Sequence, residues 1–194
     1  MNQSNFLARI MPTLIGAGIT IQLDSRSDID GYGGWFDPQV GEYVVACGDK
    51  EDKVFPIVVH EYCHFLQWRD DRQFWDSLVF SNDAIFNAID HGLPVTDDMV
   101  IESITLEHDC DTRVYEMIDD LQLDINREYF AQTVNTMLFS YFFIQAFGNW
   151  PKVAPCEVPK LVAMMPTHIK SLDYYLDPNN IPQAMLQRYI QCFQ

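Results

Sequence analysis

The chain has 194 residues, 48% hydrophobic and 21% charged. That suits one domain with a real core, and it excludes intrinsic disorder. Twelve Lys+Arg against 28 Asp+Glu leave a net charge of −16 with histidine neutral. Such a chain repels phosphate backbones and anionic lipid, and no local basic patch offsets this, so neither nucleic acid nor a membrane is an expected partner.

Asn5 to Ile15 has helical spacing through Phe6, Ile10 and Leu14, with Pro12 as a flaw. The N-terminus lacks a cationic start before its first apolar run and does not read as a signal peptide. Ile19, Ile21 and Leu23 alternate with polar residues, which is a strand pattern, and Asp24 to Asp30 is turn-like. Gly33 to Phe36 and Glu42 to Cys47 read as two strands of a hairpin, joined by Asp37-Pro38-Gln39-Val40-Gly41.

From Val54 the period changes to that of a helix, through Phe55, Val58, Val59, Tyr62, Cys63 and Leu66. The spacing predicts a helix over Val54 to Arg69, with Pro56 in its first turn. A second helix is expected over Phe74 to Ile89. A third runs from an N-cap at Thr96 to about Asp120, with Asp97 and Asp98 at its positive end. A fourth spans Asn126 to Phe147, ended by Gly148; its aromatic cluster Tyr141, Phe142, Phe143 and Phe147 reads as core. Its apolar stretch from Met137 is too short to cross a bilayer, which needs about 20 residues. Pro151, Pro155 and Pro159 mark an irregular connection, and shorter helices are expected at about Pro166 to Leu176 and Ile181 to Cys192. A small sheet followed by helices is an α+β arrangement. The five cysteines are spread singly with no C-x-x-C, which points to reduced thiols and a cytoplasmic setting.

The informative string is His60-Glu61-Tyr62-Cys63-His64, an H-E-x-x-H inside the first strong helical pattern. Residues four apart share a helix face, with Cβ atoms about 5–6 Å apart. Two imidazoles so placed can each bring a ring nitrogen to roughly 2.0–2.1 Å from one zinc ion. Glu61 then lies beside the metal, where it can take a proton from the attacking water. By residue frequencies the pattern arises by chance in roughly one shuffled sequence in 200. A third protein ligand is needed. No histidine follows His64 at metzincin spacing, so a carboxylate is expected. Glu107 is favoured over Glu102, because Glu107 alone has an aspartate, Asp111, one helical turn on. An aspartate there can accept the free N–H of a ligand histidine and fix its tautomer.

H-E-x-x-H followed by a helix carrying E-x-x-x-D resembles the gluzincin metallopeptidases. The short chain, the hairpin before the motif helix and Glu107-His108-Asp109-Cys110-Asp111 are more similar to their compact ImmA/IrrE-like and phage-encoded kind. The resemblance covers roughly Gly31 to Glu116. It implies one zincin-like domain over 1–194: a small N-terminal antiparallel or mixed sheet (about 16–50) packed on a mainly helical body. Active-site helices would lie at about 54–120 and a C-terminal helical part at about 124–194. It also implies that the strand before the motif helix, here Glu42 to Cys47, edges the cleft and pairs with an extended peptide. The chain departs from the thermolysin pattern at Leu106, where an asparagine usually precedes the ligand glutamate. The late oxyanion-stabilising residue implied by the family has two candidates, His168 and Tyr141. His108 points about 100° away from the proposed ligand on its helix.

The expected function is therefore zinc-dependent hydrolysis of a peptide or protein substrate. His60, His64 and Glu107 hold the metal, Glu61 is the general base and Asp111 orients His60 or His64. The alternative is a zincin-fold binding or regulatory protein that keeps the metal with little or no proteolysis.

Overall fold

Apolar positions four apart open the chain as a helix. In the computed structural model, which describes residues 1–29 and 33–194, α1 spans Gln3–Gly16 and buries Phe6, Ile10 and Leu14. Its start is capped by the Asn2 side chain, which accepts from the Asn5 N–H at 3.0 Å. Pro12 stays inside this helix on its exposed side. The strands are β1 (Thr20–Asp24), β2 (Gly34–Asp37) and β3 (Glu42–Ala46). Asp30, the last residue of the expected turn, and Gly31, where the family resemblance begins, lie outside the described residues.

β2 and β3 form the expected antiparallel hairpin, with Asp37 opposite Glu42. β1 pairs parallel with the other edge of β3, Thr20 opposite Glu42, so the sheet is mixed with order β1-β3-β2. This corrects the expectation that Glu42 to Cys47 edges a cleft. β3 is central, and both its rows of backbone N–H and C=O groups are spent within the sheet. The reason is visible in its residues: Tyr43, Val44, Val45 and Ala46 are all buried, so both faces are covered and the strand reads as a continuous apolar run. Leu23 of β1, by contrast, is 48% exposed despite its alternating pattern.

The motif helix α2 spans Glu51–Asp70, with Glu51 and Asp52 in its first turn. It begins three residues before the expected start, which moves Pro56 into the second turn. Helices α3 (Arg72–Leu78) and α4 (Ser81–Asp90) replace the single one expected, because the polar run Ser81-Asn82-Asp83 starts a new helix. α5 covers Asp97–Asp120 and α6 covers Arg127–Phe147. The Asn126 side chain caps α6, and Gly148 ends it with φ of 62°, a left-handed conformation that favours glycine. The short helices α7 (Pro159–Val162) and α8 (Leu172–Tyr175) precede α9 (Gln183–Phe193). The expected helix from Pro166 is thus confined to α8. Side-chain amides of α6 explain this: Asn135 donates to the carbonyls of Pro166 (2.7 Å) and His168 (3.2 Å), and Gln132 to that of Met165 (3.1 Å). Those bonds tie the segment's carbonyls to α6.

The fold is α+β. Its contacts group into two compact units. The first comprises Met1–Phe74 and Cys110–Ile125; the second comprises Trp75–Asp109 and Asn126–Gln194. In the first, α1 packs on α2 through Phe6, whose ring lies edge-on to Phe55 (5.8 Å) and Tyr62 (5.7 Å). The Tyr43 hydroxyl, buried under the sheet, donates to the Val58 carbonyl of α2 at 2.5 Å. In the second, Phe143 of the α6 aromatic cluster stacks on Tyr189 of α9 at 4.5 Å. Phe147 stacks on Phe193 and remains 42% exposed. Among the described residues, no helix is long and apolar enough to cross a membrane.

Candidate metal centre

His60 and His64 lie one turn apart on α2, and each ring is held by a different partner. Asp111, from the part of α5 in the same unit, has its carboxylate Oδ1 2.9 Å from His60 Nδ1. Gln67, three residues after His64, has its Oε1 2.7 Å from His64 Nδ1. An acceptor at Nδ1 selects the tautomer that carries its proton there, which leaves the lone pair at Nε2. The two Nε2 atoms face each other at 3.1 Å, with the rings edge to face. Two facing lone pairs repel unless a proton or a cation lies between them. Nitrogens this far apart, each about 2.0–2.1 Å from one ion, subtend about 100° there, close to a tetrahedral angle.

Cys110 completes the group: His60, His64 and Cys110 have potential ligand atoms within 4.8 Å of one another, close enough to hold a metal ion. The thiol now donates to the His60 carbonyl at 3.3 Å and lies 3.6 Å from His60 Nδ1, the nitrogen that Asp111 engages. Burial by itself would lower the His60 pKa. Interactions with Cys110 and with the Asp111 carboxylate outweigh it and raise the His60 pKa well above the usual histidine value. Cys63, three residues after His60 on the same helix, is buried, and burial pushes its thiol well up, so it packs as a neutral group.

Glu61 is 7% exposed, an unusual degree of burial for a carboxylate. The reason lies in β2. A Cβ on Gly34 would stand 2.8 Å from the Val44 carbonyl oxygen, 3.1 Å from Ile57 Cγ2 and 3.2 Å from Glu61 Cγ. Glycine at this position lets the strand backbone lie directly on the Ile57–Glu61 face of α2. Gly34 and Gln67 are site residues that the motif reading missed. Gln67 had a signal, since an amide three residues beyond His64 shares its helix face; the place of Gly34 depends on where the strand lands on α2.

The structure thus brings His60, His64 and Asp111 together. Within the second unit, Glu107 and Tyr141 are joined through Asn82. The Asn82 amide donates to Glu107 Oε1 at 2.8 Å, and the Tyr141 hydroxyl donates to Asn82 Oδ1 at 3.2 Å. His168 lies near the surface with its Nε2 2.6 Å from Lys170 Nζ. His108 has its Nε2 2.9 Å from the Lys170 carbonyl, and its ring packs against Tyr175 at 5.4 Å. Glu102 is half-buried on α5. No protein-family model, curated protein or solved structure matches the chain.

Proposed function

We propose that the chain is a zinc-dependent peptidase of the gluzincin type. The observation that carries this reading is the convergence of His60 Nε2 and His64 Nε2, both turned inward by partners on their Nδ1 atoms, beside a buried Glu61. Imidazole donors suit zinc, and the H-E-x-x-H spacing supplies two of them on one helix face. The third ligand comes from α5. By the Glu-x-x-x-Asp spacing it is Glu107, with the Asn82 amide fixing the plane of its carboxylate.

Bound zinc supplies Lewis-acid polarisation of the scissile carbonyl and lowers the pKa of the attacking water. Glu61 takes the proton of that water as its oxygen bonds to the carbonyl carbon. The C–N bond then breaks and Glu61 delivers the proton to the leaving nitrogen. The low exposure of Glu61 keeps bulk water from competing for that proton. An extended substrate adds to β2, which among the described strands pairs only with β3 and overlies Glu61. Tyr141 and His168 remain the candidates for the oxyanion donor.

The test is the Glu61→Gln variant. Protein purified without a His-tag should hold about one equivalent of zinc, and Glu61→Gln should keep it. Hydrolysis of a degenerate peptide pool, read by mass spectrometry, should fall by roughly 10²–10⁴-fold. Equal cleavage by both proteins sinks the peptidase mechanism. Zinc retained by both with no cleavage by either makes the chain a metal-holding binding protein instead.

A further inference from the structure

We infer that Gln67 is the positioning residue for His64, setting the ring nitrogen that His64 presents to a metal; this rests on the metal-centre reading above. Gln67 is completely buried on α2, and the same helix buries Val58, Val59 and Phe65. A residue needed there for packing alone would be aliphatic, because an amide loses its hydration on burial and must recover it from partners. Its Oε1 recovers part of it at 2.7 Å from His64 Nδ1. That contact has a chemical consequence. A neutral imidazole carries one proton on either nitrogen. An acceptor at Nδ1 holds the proton there and aims the Nε2 lone pair at the point that His60 Nε2 also faces, 3.1 Å away.

The two histidines are supported unequally. His60 leans on a carboxylate, Asp111, whereas His64 leans on a neutral amide. Asp111 brings a negative charge to His60, and Gln67 brings none to His64. His64 is then fixed by geometry rather than by charge, and a neutral partner serves where a second carboxylate would add negative charge in a buried place.

The experiment uses the full chain, metal-free, at a pH where His64 is neutral. Long-range ¹H–¹⁵N correlation spectra of the imidazole report which nitrogen bears the proton. Competition with a chromogenic chelator reports zinc affinity, and circular dichroism reports folding. Wild type should show His64 protonated at Nδ1. Gln67→Leu should release that tautomer and weaken zinc binding by roughly 10–100-fold, the usual cost of losing a ligand's support. Gln67→Glu, which still accepts from Nδ1–H, should restore both readouts. Gln67→Met serves in place of Gln67→Leu if the branched side chain prevents folding. A folded Gln67→Leu or Gln67→Met protein with wild-type tautomer and affinity overturns the assignment. So does a loss of affinity with the tautomer unchanged, which would mark a packing role. Wild type that binds no zinc overturns the metal centre and this role with it. Wild type that binds zinc while its tautomer ignores Gln67 overturns this role alone.

Discussion

His60 and His64 turn their Nε2 atoms toward each other across 3.1 Å, and each ring is held from behind at its Nδ1 by a different side chain. The Asp111 carboxylate sits behind the pair, its Oδ1 2.9 Å from His60 Nδ1. A proton and a bound cation would therefore compete for the space between the two Nε2 atoms.

The first prediction is the pH dependence of that competition. Burial lowers the His60 pKa, but Cys110 and Asp111 more than reverse it, so the folded value lies above the ordinary histidine value of 6.5. In the metal-free protein, the stability contributed by charged His60 is fully present below pH 6.5. It is lost as pH rises through the folded pKa. Metal binding runs the opposite way, because the ion displaces the proton. Zinc affinity should rise about tenfold per pH unit until the folded pKa is passed, with about one proton released. Titration calorimetry in two buffers of different ionisation enthalpy counts that proton. Asp111→Asn should lower the His60 pKa, reduce the proton release near neutrality and weaken zinc by roughly 10–100-fold. Proton release that stays at wild-type level in Asp111→Asn would show that Asp111 does not set the pKa.

A second prediction separates the possible third ligands. Glu107→Ala should weaken zinc binding more than Glu102→Ala, because Glu107 has Asp111 one turn on and the Asn82 amide on its carboxylate. Cys110→Ser should retain zinc, since the thiol is directed at the His60 carbonyl. The cobalt(II)-substituted protein gives an independent reading. It should lack the near-ultraviolet sulfur-to-metal charge-transfer band that a thiolate ligand produces. A band that disappears in Cys110→Ser would make the centre His60, His64 and Cys110.

The third prediction concerns Gly34. An alanine there brings a methyl within 2.8 Å of the Val44 carbonyl oxygen, which is backbone and cannot swing away. Gly34→Ala should lower stability by about 1–3 kcal/mol, as overpacking does, and lift β2 from the Glu61 face of α2. Zinc should remain, because β2 supplies none of the proposed ligands. Peptide hydrolysis should fall more than metal binding does. Thermal melts and zinc analysis on the same preparation check it; an unchanged melting temperature would mean that the strand does not bear on α2.

Local pattern determined much of this protein from sequence alone. The 3.6-residue stripe of Val54 to Arg69 fixed a helix, and that helix by itself puts His60 and His64 on one face. The four-residue spacing of Glu107 and Asp111 placed an aspartate within reach of a helix face, because helix geometry needs no tertiary information. Turn chemistry between Asp37 and Gly41 likewise announced the β2–β3 hairpin.

Tertiary structure decided the rest, and each case has a long-range cause. Whether β3 lay at an edge depended on where β1 would pair, and strand pairing across a gap leaves no trace in local periodicity. Asp111 reached His60 through a contact 51 positions apart in the chain. The helix expected from Pro166 gave way because Asn135 and Gln132, some thirty residues earlier, took its carbonyls. The Glu61 carboxylate became buried where glycine at 34 let a strand settle on it. Helix periodicity could set the spacing of His60 and His64; that Asp111 engages His60 Nδ1 was set by a contact that only folding brings together.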